Sequence, residues 1–189
     1  MNNFRMYNEL KSIFKRANKK LIEKDKDLFL LKVSERTICG ALMLHLSEAL
    51  ENSDYSSYYA DVEFNRNHGS KLKTLVKTVK GPEYKIIKIT CDLIVHSRGE
   101  NIEQDNLIAI EMKKSYRKMV EKESDCFRLQ CLTKDCFDDN ILSYDGKILP
   151  EHVCRYVIGI YYEINDKDRS ILLKYFYKGK EKEKEILSY

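Results

Sequence analysis

Asp92 interrupts the apolar run from Ile86 to His96, and Glu111 and Lys113, two residues apart, close a second run, LIAIEMK. Hydrolysing a phosphodiester needs a cation to offset charge on the phosphorus oxygens, an activated water, and help for the leaving oxygen. Hard divalent cations such as Mg²⁺ (or Mn²⁺) take carboxylate and carbonyl oxygens and need neither histidine nor cysteine. Asp92 and Glu111 supply carboxylates, and the Met112 backbone carbonyl is a further candidate ligand. The Lys113 ammonium can orient the attacking water or steady the scissile phosphate. Zinc is not expected. The chain has no Cys-x-x-Cys and no His-x-x-x-His, and Cys126, Cys131 and Cys136 recur every five residues, a step of about 140° on a helix that turns the thiols apart.

The elements that position these groups follow from hydrophobic period. Phe4, Tyr7, Leu10, Ile13, Phe14, Ala17 and Leu21 mark an amphipathic helix over 4–24, read as an N-terminal extension within residues 1–30. Ser34 is an N-cap candidate for a helix running to about Leu50, which sets Glu35 near its N-terminus at the edge of the buried face. There Glu35 could add an auxiliary carboxylate. Alternation from Tyr58 to Arg66 predicts a half-buried strand, and 86–96 a second, with Asp92, Ile94 and His96 on one side. In the third strand period two sets Glu111 and Lys113 beside Leu107 and Ala109. A helix from Val120 to Cys136, a loop through Asp138 and Gly146, buried strands in VCRYVIGIYYEI and ILLKYFY, and a charged tail over 178–189 complete the reading. This is one α/β domain over 1–189, a central mixed sheet flanked by helices.

Composition sets the outer limits. Hydrophobic residues at 43% and charged residues at 34% describe a globular chain without any apolar run near the roughly 20 residues of a membrane span. The first twenty residues lack the apolar core of a secretory signal, so a cytoplasmic location and reduced cysteines are expected. The net charge of +4 is unevenly placed: +6 within 66–88 and +4 within 1–30, leaving −6 elsewhere. Arg66, Lys71, Lys73 and Lys77, with Lys114 and Arg117 beyond the third strand, are candidate contacts to a polyphosphate backbone.

CDLIVH with Asp92, a loop, and NLIAIEMKKS with Glu111 and Lys113 resemble the catalytic signature of the PD-(D/E)XK nuclease superfamily, the restriction-endonuclease-like fold, in its small bacterial or phage form. The helix SERTICGALMLHLSEAL and the strand DVEFNRN resemble the elements that open that fold, so the likeness covers residues 34 to about 160. Cys91 stands where the motif has its proline, and no Gln-x-x-x-Tyr follows, which argues against a RecB-like subtype. The resemblance implies Mg²⁺-dependent cleavage of nucleic acid, with DNA expected ahead of RNA as the substrate. Asp92 and Glu111 would be metal ligands, Lys113 the catalytic lysine and Glu35 an auxiliary acid. Cutting a duplex takes two sites, so a homodimer fits. The alternative is a nucleic-acid-binding or regulatory module that keeps the fold without catalysis.

Overall fold

The computed structural model describes residues 3–64, 74–78, 84–88, 90–101, 103–135 and 155–189. Helix α1 (Asn3–Lys24) buries Tyr7, Leu10, Ile13, Phe14, Ala17 and Leu21 along one stripe. That spacing of three and four is the one read from sequence. These side chains belong to the main core, together with Ile38, Cys39, Leu42, Leu46 and Leu50 of α3 (Glu35–Glu51). So α1 is a wall of the domain and not an appendage. A short helix, α2 (Lys26–Leu30), links them. The Ser34 side chain accepts the Thr37 N–H at 3.2 Å, which satisfies an orphan donor of α3 and fixes where that helix starts.

The described residues form a mixed six-stranded sheet in the order β1 (Tyr59–Val62), β4 (Leu93–His96), β5 (Asn106–Lys114), β6 (Ile158–Asn165), β7 (Ser170–Tyr177), β8 (Lys180–Ser188). Every neighbouring pair is antiparallel except β5 and β6, which run parallel and are separated in sequence by α4 (Met119–Leu132). A parallel pair needs such a crossover. Strands β2 (Thr74–Thr78) and β3 (Tyr84–Lys88) form a separate antiparallel pair.

Two layers of helix cover the sheet. Ile110 and Met112 of β5 point into the core built with α1 and α3, whereas Ala109, with Ile94 of β4 and Tyr161 of β6, packs under Leu129 and Leu132 of α4. A Cβ at Gly159 of β6 would lie 3.1 Å from the Thr133 methyl and 3.3 Å from the Leu129 Cβ. That glycine lets α4 sit close against the sheet, which brings its polar residues down to the level of β5.

Two expectations change. The predicted strand over 86–96 divides into β3 and β4, and only the second half joins the main sheet. The charged tail is a strand: β8 pairs with β7 along its length. KEKEKE has no apolar alternation to betray it, yet its period of two turns Glu183 and Glu185 toward α1, where Lys11 and Lys15 meet them at 2.5 and 2.7 Å. The loop expected through Asp138 and Gly146, like Cys136, lies outside the described residues.

Candidate active site

Asp92 precedes β4, and Glu111 and Lys113, near the end of the adjoining β5, meet Arg128 and Asp125 of α4. Asp92 Oδ2 accepts the Met112 N–H at 2.7 Å, which ties the carboxylate to the neighbouring strand. Burial raises the Asp92 pKa above the ordinary range, partly countered by that N–H and by the Lys113 ammonium. Glu111 is 1% exposed. Its burial dominates, pushing the pKa up to about 8 even though the Arg128 guanidinium pulls it back. Burial works against the Lys113 ammonium as well, but Asp92, Asp125 and Glu111 together outweigh it and hold its pKa above normal.

Two members of this cluster were missed from sequence. Asp125 and Arg128 of α4 stand three residues apart on the stripe that also carries Leu129 and Leu132, and Asp125 is buried along with those leucines. Arg128 Nη1 donates to Glu111 Oε1 at 2.7 Å and Nη2 donates to Asp125 Oδ1 at 2.8 Å. The other oxygen of Asp125 lies 3.2 Å from Lys113 Nζ as an ion pair, but it is buried without an aligned hydrogen-bond donor. The signal was available: an acid and a base at the i and i+3 positions of a helix's apolar stripe are out of place unless something buried binds them.

Glu35 reaches the cluster from the other layer. From the first turn of α3 it accepts the Lys114 N–H at 2.7 Å, with Arg117 Nε at 3.4 Å. It therefore braces the end of β5, and its charge is felt at Asp92. The Cys39 Sγ, one turn on, contacts Met112 Sδ at 3.6 Å, and burial beside these carboxylates pushes the thiol up. Met112 thus turns its side chain to α3 and gives its N–H to Asp92.

The candidate phosphate contacts fare unequally. Lys114 is 3% exposed and its ammonium is held by Asp166 at 2.9 Å, so it is a structural lysine turned away from solvent. Period two explains this: next to Lys113, it belongs to the opposite face. Arg117 is open to solvent while paired to Glu35. Arg66, Lys71 and Lys73 lie outside the described residues, as does the Lys77 side chain.

Among the described residues no three His, Cys, Asp or Glu side chains are gathered to hold a metal ion by themselves. Mg²⁺, however, commonly takes one or two carboxylates and keeps several waters. Asp92, just before β4, and Glu111, on the adjoining β5, offer that donor set. In donor chemistry the residues suit a hard divalent ion. No helix among the described residues is long and apolar enough to cross a membrane. No family model, no curated protein and no solved structure matches this chain.

Proposed function

We propose that this protein is a Mg²⁺-dependent phosphodiester hydrolase acting on DNA, with a restriction-endonuclease-like core. The observation that carries the reading is that Glu111 and Lys113 meet α4 while Asp92 accepts the Met112 N–H between them, with a carboxyl held well above its ordinary range and an ammonium held charged. The order α3, antiparallel β1, β4 and β5, then α4 and the parallel β6 supports the fold assignment.

In this reading Asp92 and Glu111 hold the ion, which when bound offsets charge on the phosphate and acidifies water. Lys113, its proton secured by three carboxylates, presents a cation to the attacking water or the scissile phosphate without acting as a base. Asp125 keeps that ammonium at the mouth of the site. Glu35 fixes the end of β5 through the Lys114 N–H, which holds Lys113 in register with Glu111. The basic segment 66–88 and Arg117 supply attraction for the backbone.

The test is cleavage of plasmid and single-stranded substrates in Mg²⁺ or Mn²⁺ by wild type, Asp92→Ala and Lys113→Ala. Each substitution is expected to lower the rate by at least about 100-fold. Equal cutting by either variant would remove the site assignment. One observation favours a second reading, a nucleic-acid-binding module without catalysis: Glu111 is occupied by Arg128, and among the described residues no three-ligand group is formed. Binding that survives EDTA, with no cleavage in either metal, would select it.

A further inference from the structure

The carboxylates of this site already hold a cation belonging to the protein. Arg128 commits one terminal nitrogen to Glu111 and the other to Asp125, in a fork that suits two carboxylates at once. The guanidinium side chain is 28% exposed, while both acids are almost wholly buried. It therefore has more access to solvent than either acid it binds. The oxygen it engages on Glu111 belongs to the carboxylate that a divalent ion would need. If the guanidinium left Glu111 it would not be stranded, because its other terminal nitrogen is already bound to Asp125 Oδ1 at 2.8 Å, three residues before it on the same helix.

We propose that Arg128 is the resident counter-cation of the site, and that a divalent ion enters at Asp92 and Glu111 by displacing the guanidinium from Glu111 while Asp125 retains it. This rests on the metal-dependent reading. Arg128 is on this view a positioning residue: it keeps Glu111 in place before the ion arrives and sets the concentration at which the site fills. A guanidinium and a dication brought to the same buried carboxylate repel each other across a low-dielectric site, so removing the guanidinium tightens metal binding.

The experiment is calorimetric titration of Mn²⁺ into wild type, Arg128→Met, Arg128→Lys and Asp92→Ala at pH 7.5, without nucleic acid, each checked by thermal melting. Arg128→Met is expected to bind at least about tenfold more tightly than wild type, Arg128→Lys in between, and Asp92→Ala not at all. In parallel, the Arg128 Nε–Hε resonance of wild type should shift on addition of Mg²⁺ and stay fixed in Asp92→Ala. Binding by Arg128→Met equal to or weaker than wild type, with Asp92 still required, overturns the proposal and leaves the metal reading standing. If no folded form takes up the ion in an Asp92-dependent way, the metal reading fails and the proposal with it. Should Arg128→Met not fold, the resonance decides: Mg²⁺ binding that leaves it unmoved overturns the displacement.

Discussion

Along β8, Glu183 and Glu185 reach across to Tyr7, Lys11, Lys15 and Tyr175, fastening the edge strand to α1 with pairs that water reaches. Under α4, Glu111 and Asp125 meet Arg128 and Lys113 with almost no solvent access to the acids. The chemical ingredients are the same, lysine or arginine against glutamate or aspartate. At the edge, solvation keeps each charge near its ordinary cost, so the pairs set register and little else. In the interior each charge depends on its neighbour, and one carboxyl is pushed far enough to titrate near neutrality. Burial, and not pairing, makes the second cluster a candidate for chemistry.

The strongest way to sharpen that contrast is Glu111→Gln. The folded-state pKa of Glu111 is raised from 4.5 to about 8, so the folded protein binds a proton that the unfolded chain releases between those values. Stability must then fall as pH rises through that window, with the penalty complete above about pH 8. Replacing the carboxyl by an amide removes the penalty. At roughly 1.4 kcal/mol per pKa unit, Glu111→Gln should be more stable than wild type by on the order of 4 kcal/mol at pH 9, and close to wild type at pH 4.5. Denaturant titrations at the two pH values measure it; a pH-independent difference would mean Glu111 is not the titrating group. The same variant should lose metal binding, a stability cost that the site accepts for function.

Next in size is Arg128→Met, which leaves Asp125 and Glu111 without their shared cation. The expected loss is about 3 kcal/mol at pH 8, less than the full cost of a stranded charge because Glu111 can protonate. It leaves a domain of ordinary stability folded. The loss should shrink at pH 5, the mirror image of the Glu111→Gln profile, and urea unfolding at both pH values checks it. A smaller effect, about 1–2 kcal/mol, is expected for Glu35→Ala, which strips a charged acceptor from the Lys114 N–H. Amide exchange at Lys114 should speed up in that variant while β8 amides stay protected.

These predictions also mark what the sequence could say. Glu111 and Lys113 were legible because period two is strict: once LIAIEMK is a strand, a residue two positions from Glu111 must share its face. Ser34 and Glu35 were legible because a helix start has its own chemistry. The gaps share a cause: each was set by a partner distant in the chain. Lys114 reads as a solvent-facing lysine until Asp166, 52 residues on, is found beside it. Arg128 reads as an ordinary helix charge until α4 is laid on β5 with Gly159 beneath it. β8 has no hydrophobic pattern and becomes a strand only through β7 and the lysines of α1. Local periodicity places side chains on faces, whereas tertiary packing decides which faces meet.

The smallest effect tests the edge. Lys15 and Glu185 lie 2.7 Å apart, as close as Arg128 and Glu111, so distance alone would rank the two pairs equal. Solvent exposure ranks them differently. A double-mutant cycle on Lys15→Met and Glu185→Gln should return a coupling below about 0.5 kcal/mol, fading further in 1 M NaCl where the screening length falls to about 3 Å. Glu185 also accepts from the Tyr175 hydroxyl, and that bond survives the loss of Lys15, which is a further reason for the small coupling. The same cycle on Arg128→Met and Glu111→Gln should give a coupling several times larger and nearly salt-independent. If the edge pair instead coupled by more than about 2 kcal/mol at high salt, exposure would not be what separates the two clusters, and the special standing given to the buried one would go with it.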